Sequence, residues 1–374
     1  MSASGRYVIV GGGGYLGAKV ISRLQSEGFN GVIVVVDPNP QKFETIEMDQ
    51  SKILYVKSSF LDQTVLDGVL KDAIAVFHLA SIGHTGLAAN DRKYVFDFNV
   101  EGTKLLMRKF KEYGVSRFLY ASSVAVAFIG VPLDNATEND PLPHPTPYLD
   151  YYSESKAEAE AFVLSQSTDQ FKTVALRFRA IYGPEDPNVT KKVANLIDQG
   201  LFLTMVSVHG RESISMASSG QNCSKAFALA DKMLQKPNGI HGRVYYILDE
   251  ESVGQYQFWE PLVSALGRKP PVWFFPYKLL EVVTLLMSTI CYNFFRTTPL
   301  LTKFELMILA TDNTYSIERA RQELGYQPEP CDMHNVAAHY KKLGRANAPT
   351  VFTRKFIFAI FLVLASIFIF RLYN

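Results

Sequence analysis

Short apolar runs alternating with longer amphipathic ones predict an α/β fold in which a parallel sheet is covered by helices on both faces. The apolar runs are YVIV at 7–10, VIVVV at Val32–Val36, ILYV at Ile53–Val56, AVFHLA at Ala75–Ala80, RFLYA at Arg117–Ala121 and TVALRF at Thr173–Phe178. Helix-like stretches separate them, among them GTKLLMRKFKEYG at 102–114 and SESKAEAEAFVLSQ at 153–166. Strands this uniformly apolar suit a sheet buried on both sides, because a one-sided sheet would alternate with polar residues. A third observation sets the order of winding: the first strand runs straight into the glycines Gly11–Gly14 and then a helical pattern.

Those glycines need a backbone role, since glycine costs about 0.5–1 kcal/mol relative to alanine inside a regular element. Gly11, Gly14 and Gly17 form G-x-x-G-x-x-G between strand and helix. In such a turn one glycine bends the chain, one lets the backbone approach a pyrophosphate, and one lets helix and strand pack closely. The second strand ends at Asp37, 20 residues past Gly17, where a carboxylate can accept hydrogen bonds from both ribose hydroxyls and repel a 2′-phosphate. A Rossmann-type doubly wound sheet that binds NAD rather than NADP is the economical reading.

Further along, Tyr152 and Lys156 stand four apart on a predicted helix and therefore share a face. Tyrosine has an unperturbed pKa of about 10, and a nearby ammonium together with an oxidised nicotinamide would stabilise its phenolate for acid/base work. Spacing alone proves little, because Tyr15 and Lys19 repeat it inside the glycine loop. Ser123 separates the two: it lies 29 residues before Tyr152, at the C-terminal end of the RFLYA strand, where open α/β sheets place their ligands. Ser122 points to the opposite side. Between them the proline-rich stretch VPLDNATENDPLPHPTP, 131–147, is expected to lack regular structure and to cover part of a site.

Composition limits the remaining classes. With 374 residues, 48% of them hydrophobic, the chain can bury a sizeable core, and 38 basic against 36 acidic side chains mark no nucleic-acid binder. Cys223, Cys291 and Cys331 lack metal-ligand spacing and suit a reducing compartment, so no disulfide is expected. The histidines are scattered without zinc-ligand spacing, which gives an expectation of no metal, and His78 reads as a structural residue at a strand end. The Asn-X-Ser/Thr triplets at Asn135, Asn188 and Asn222 read as chance. Residues Phe356 to Phe370 are apolar apart from Ser366 and are flanked by Arg354, Lys355 and Arg371. A membrane anchor at 356–372 after a polar linker at 346–355 is expected, with the preceding chain cytosolic by the positive-inside tendency. PYKLLEVVTLLMSTICYNFF, 276–295, has a narrow polar stripe through Glu281, Thr284 and Ser288, and admits either a buried lobe helix or a membrane-docking one.

Taken in order, VIVGGGGYLG, Asp37, VFHLAS, NVEGTKLL, LYASS, YSESK, ALRFRAIYGPED and YSIERARQELGYQP resemble the extended short-chain dehydrogenases/reductases. The chain is most similar to their 3β-hydroxysteroid dehydrogenase/isomerase-like branch, closest to subgroup 42E, over about residues 6–345. The resemblance implies an NAD-binding core over about 6–185, a smaller C-terminal substrate lobe over about 186–345, and a C-terminal transmembrane helix. It assigns Ser123, Tyr152 and Lys156 to catalysis. Gly11, Gly14, Tyr15, Leu16, Gly17 and Asp37 fall to the cofactor, with Ser59, Phe60, Leu79, Ala80 and Asn99 along its path, and Tyr152 and Lys156 contact it as well, Lys156 at the ribose. Three departures stand out: Ser59 where relatives carry an acid against the adenine, Phe178 after Leu176 and Arg177 where they read Leu-Arg-Pro, and SGQN at Ser219–Asn222 in place of a His-Val-Asp-Asp motif. The implied activity is NAD-dependent oxidation of the 3β-hydroxyl of a steroid or sterol at a membrane, the endoplasmic reticulum being the expected one, and a homodimer stays open. Other lipophilic alcohols, a 4-carboxysterol, a nucleotide-sugar epimerase or dehydratase reaction, and a non-catalytic NAD- or lipid-binding protein are the alternatives.

Overall fold

A computed structural model of the chain describes residues 5–143, 147–237 and 239–344. The expected linker at 346–355 and anchor at 356–372 lie outside the described residues. Seven strands form the main sheet: β1 (Arg6–Val10), β2 (Ile33–Val36), β3 (Ile53–Val56), β4 (Ala73–His78), β5 (Arg117–Ser123), β6 (Lys172–Phe178) and β7 (Arg243–Tyr246). Their order is β7-β6-β5-β4-β1-β2-β3, and every pair is parallel. The winding reverses between β1 and β4, which creates a crevice at the C-terminal ends of those strands.

Period-two alternation divides each strand between two cores. Tyr7, Ile9, Val35, Phe77 and Leu119 face α1 (Tyr15–Ser26), joined there by Phe227 of a later helix. Val8, Val34, Val76 and Phe118 face Leu106 and Phe110 of α2 (Gly102–Glu112) and Ala159 and Val163 of α3 (Tyr151–Ser165). Both sets are buried, which accounts for the unbroken apolar runs in the sequence. Helix α3 buries Ser153, Ser155, Lys156 and Glu160 beside its apolar residues, so polar contacts as well as hydrophobic burial fix its position.

Core and lobe interleave rather than divide at residue 185. Helix α4 (Gly220–Gln235), which carries Phe227, and strand β7 complete the main sheet from the later half of the chain. Conversely, Leu133–Ala136 joins a four-stranded lobe sheet by pairing in parallel with Asn313–Tyr315. This corrects the expectation that 131–147 has no regular structure. The partner strand lies some 180 residues downstream, so no local pattern announced it. The lobe also contains α5 (Tyr277–Ile290), extended by a π-turn over Cys291–Phe295, and α6 (Lys303–Ala310).

Helix α5 is inverted relative to a soluble helix. Thr284, from the polar stripe, is its one buried residue, whereas Leu279, Val282, Leu285 and Leu286 are exposed. Phe294 and Phe295 continue the exposed face, as do Val272 and Trp273 before the helix. The reading of 276–295 as a buried helix is therefore set aside. Tyr277–Phe295 is long and apolar enough to cross a membrane, with 11% of its most apolar stretch buried.

Candidate active site

The glycine turn explains itself residue by residue. Gly11 has φ of +77°, and a Cβ there would lie 2.6 Å from the Ala80 nitrogen. At Gly17 a Cβ would come within 2.4 Å of Gly12, so only glycine lets the first turn of α1 pack on the loop. Gly14 differs: a Cβ would meet nothing nearer than the Gly11 carbonyl oxygen at 3.7 Å. That open cradle sits at the start of α1, where Gly14 provides no side-chain cap and the first amides of the helix remain available to an anion. Asp37 closes the other side. Its Oδ2 accepts from the Gly13 amide at 3.1 Å and its Oδ1 from the Asn39 amide at 2.8 Å. A pyrophosphate and a ribose fit this arrangement of glycine backbone and carboxylate.

Other expected cofactor residues take more structural places. Tyr15 turns its ring inward against Phe43, and its hydroxyl has no partner among the described residues. Burial pushes that phenol far above its ordinary pKa. Leu16 packs on the core beneath α1. Phe60 is buried against His78 and Phe98, while the Ser59 hydroxyl accepts from the Leu61 amide at 3.2 Å. The Leu79 and Ala80 amides both donate to the Val10 carbonyl, at 2.8 and 3.1 Å, and so shape the floor beside Gly11. Asn99 donates to the Ile82 carbonyl and the Ser155 hydroxyl and accepts from the Ile82 amide, tying the loop after β4 to α3.

Ser123, Tyr152 and Lys156 come together at the C-terminal end of β5. The Ser123 hydroxyl is close enough to the Tyr152 phenol to favour its ionised form, and Lys156 Nζ donates to the Ala121 carbonyl at 2.7 Å with the Tyr152 ring 6.0 Å away. Burial raises the phenol to about 12, with the nearby Ser123 hydroxyl acting against it. Burial likewise lowers the Lys156 ammonium to about 7, opposed by the Glu160 charge. Ser122 faces away and donates to Glu160 Oε2 at 2.6 Å. His78 is buried and meets the Thr103 hydroxyl at 2.9 Å, as a structural residue would. Asn222, of the chance glycosylation triplets, is wholly buried and donates to Asp249.

Above Tyr152 the walls are apolar. Ala125, Phe128 and Phe304 form a buried cluster with Leu133, Leu149, Met307 and Ile308, and Tyr152 packs against it. Sequence reasoning missed two residues at this wall. His84 lies edge-on to the Tyr152 ring with centroids 4.1 Å apart, and its Nδ1 stands 2.6 Å from Asp150 Oδ2. Asp150 was recoverable as an acidic residue just before a helical run, a common N-cap pattern. Nothing local marks His84, which reaches the site by tertiary folding alone.

This combination of sheet, turn and Tyr-Lys helix is the architecture of the short-chain dehydrogenases/reductases. Within that class the chain belongs to the 3-beta hydroxysteroid dehydrogenase/isomerase family, whose sequence model matches residues 8–277. It is 35% identical to the 3beta-hydroxysteroid dehydrogenase/Delta(5)-Delta(4) isomerase 1 of Caenorhabditis elegans, over 77% of this chain and 62% of that protein's length. With short-chain dehydrogenase/reductase family 42E member 1 of Danio rerio it shares 30% identity over 96% of this chain and 95% of that one. Among solved structures, gox2253 superposes with a TM-score of 0.69 at 24% identity, covering 91% of this chain and 98% of the other. The Bordetella bronchiseptica enzyme WbmF in complex with NAD+ superposes at 0.65 with 19% identity, over 92% and 94%.

Proposed function

We propose that the protein oxidises the 3β-hydroxyl of a steroid or sterol to the 3-ketone with NAD as cofactor. The observation that carries this reading is the convergence of Ser123, Tyr152 and Lys156 at the C-terminal sheet edge, with Tyr152 packed against the apolar wall of Phe128, Leu149, Phe304 and Met307. An apolar wall suits a fused hydrocarbon ring better than the diphosphate of a nucleotide sugar. The similarity to 3β-hydroxysteroid dehydrogenases supports the same choice.

In this reading the glycine turn at Gly11, Gly14 and Gly17 holds the pyrophosphate and Asp37 the ribose. NAD, when bound, supplies the hydride acceptor. Ser123 holds the substrate oxygen, and Tyr152 takes the hydroxyl proton as the carbinol is oxidised. Lys156 stabilises the phenolate through its charge. A phenol raised to about 12 is a poor base by itself, so ionisation depends on positive charge gathered when the site is filled.

The exposed apolar face of Tyr277–Phe295 supports a membrane setting, since a sterol dissolved in a bilayer is concentrated where this helix would lie. The anchor expected at 356–372 would reinforce it, with the catalytic domain on the cytosolic side. The deciding experiment incubates purified protein with NAD and a panel of 3β-hydroxysteroids, 4-carboxysterols and UDP-sugars, following NADH absorbance and product mass. Formation of 3-ketosteroid is expected. Turnover confined to UDP-sugars would overturn the reading.

A further inference from the structure

Helix α3 needs an acceptor at its N-terminus, and Asp150 supplies one. Its Oδ1 accepts from the Ser153 amide at 2.8 Å and from the Ser153 hydroxyl at 2.7 Å. That cap has an electrostatic drawback: a carboxylate two residues from Tyr152 opposes formation of the phenolate on which the proposed chemistry depends. The other carboxylate oxygen is held by His84, whose Nδ1 lies 2.6 Å from Oδ2. One face of the imidazole stacks on Phe304 of α6, with centroids 3.8 Å apart and planes 16° from parallel. Its contact with the Tyr152 ring is edge-on, at 4.1 Å and 62°. One ring thus touches the helix cap, the candidate base and the lobe.

We propose that His84 is a positioning residue for Tyr152: its ring fixes the phenol between core and lobe, and when protonated its pairing with Asp150 neutralises the charge of the helix cap beside the phenol. This rests on the reading of Tyr152 as the acid/base.

Neighbouring charges leave that part to His84. On α3, Lys156 turns to the Ala121 carbonyl, and Glu154 pairs with Arg92 on the surface. From the lobe, Tyr292 is the ionisable side chain that senses Asp150, while Glu305 of α6 is engaged by Lys192 and Thr302. Phe304 brings no charge. Among the described residues His84 is the one basic side chain paired with Asp150.

The test compares wild type with H84A, H84Q and the double variant H84A/D150S, using NAD binding, the pH profile of kcat/KM, and ultraviolet titration of the phenol in the NAD complex, where the charge of the cofactor lowers its ionisation toward the range in which an imidazole is protonated, against Y152F as blank. H84A should move the Tyr152 ionisation upward by about one pH unit and lower kcat/KM near neutral pH by about tenfold, with NAD affinity unchanged. H84Q keeps a donor to Asp150 but no charge, and should show the same upward shift. In the double variant serine still caps the helix while the carboxylate is gone, so most of the loss should be recovered. An unmoved titration in H84A and H84Q, or no recovery in H84A/D150S, would overturn the proposal. The titration needs no substrate, so a protein that oxidises no steroid still answers it. If Y152F retains full turnover, the assignment of the base has failed, whatever the titration shows.

Discussion

Glu160 Oε1 receives Arg177 Nη2 at 2.6 Å one helical turn beyond Lys156, on the face of α3 that carries Tyr152 and Lys156. Both side chains are almost fully buried, at 2% and 4% exposure. Further bonds complete the pair: Ser122 and Arg177 Nε donate to Glu160 Oε2, and Arg177 Nη1 donates to the Tyr246 hydroxyl at 3.0 Å. One ion pair thereby ties α3 to β5, β6 and β7, and with them the spacing between Ser123 and Tyr152. Removing one partner leaves a buried charge unpaired, so Glu160→Ala or Arg177→Ala should cost about 3–5 kcal/mol of stability. Urea unfolding midpoints measure this. The double change to methionine should cost less than either single one, because no charge is then stranded.

Tyr152→Phe removes only the phenolic oxygen beside Ser123. Turnover should fall by roughly 10²–10⁴-fold, the usual scale of lost acid/base catalysis, while NAD titration by fluorescence stays unchanged. Tyr15→Phe serves as the control. Its hydroxyl is buried against Gly183 and Gly220, away from Ser123, so the chemical step should be nearly unaffected. A large loss in that variant would reverse the choice between the two Tyr-Lys pairs.

The contrast between those pairs shows how much of this protein could be read in its sequence. Strands β1 to β6 and the glycine turn are local patterns, set by apolar runs and by backbone conformations only glycine allows. Ser123, Tyr152 and Lys156 were legible for a similar reason, as a strand end and one helical face. Interactions between distant segments were not. The strand Leu133–Ala136 exists because Asn313–Tyr315 pairs with it, and Asn135 even adopts a positive φ of 50°. His84 gains its importance from Asp150 and Phe304, 66 and 220 residues away. The inverted burial of α5 is the reverse of what helical periodicity predicts for a soluble protein.

Asp37 should govern the choice of cofactor. Its carboxylate is held in place by the Gly13 and Asn39 amides, and a 2′-phosphate at the same position would meet an uncompensated negative charge. Asp37→Ser should lower the ratio of kcat/KM for NAD to that for NADP by at least tenfold, about 1.4 kcal/mol of discrimination. Steady-state kinetics with both dinucleotides check it, and a wild-type preference for NADP would remove Asp37 from this role.

His78 ties stability to pH. Burial, helped by the Lys156 charge, depresses its folded-state pKa from 6.5 to about 3, so the folded protein keeps the imidazole neutral. Between those values the unfolded chain binds a proton that the folded one refuses. Stability should therefore fall as pH drops below about 6.5, by up to about 1.4 kcal/mol per unit, and show no contribution from His78 above it. His78→Asn should be less stable at neutral pH, yet lose less on acidification to pH 5. Parallel pH curves for the two proteins would show that other groups dominate.

The exposed face of α5 yields the prediction that joins structure to setting. Val282, Leu285 and Leu286 stand in solvent while Thr284 packs inward, so serine at the three apolar positions should leave folding and NAD affinity unaltered. If the face lies in a bilayer, each change removes about 1 kcal/mol of apolar burial, and partition into phospholipid vesicles should weaken on the order of 10²-fold. A chain ended after Thr350 lacks the apolar run Phe356 to Phe370 and isolates the contribution of α5 in the same sedimentation assay. The truncated protein should still bind vesicles, and the triple serine change in that background should release it. Activity supplies the second reading. The triple variant should lose efficiency toward sterol delivered in vesicles and keep it toward steroid dispersed in detergent, because the site itself is untouched. Equal loss with both presentations would mean that α5 shapes the substrate site rather than delivers the protein to lipid.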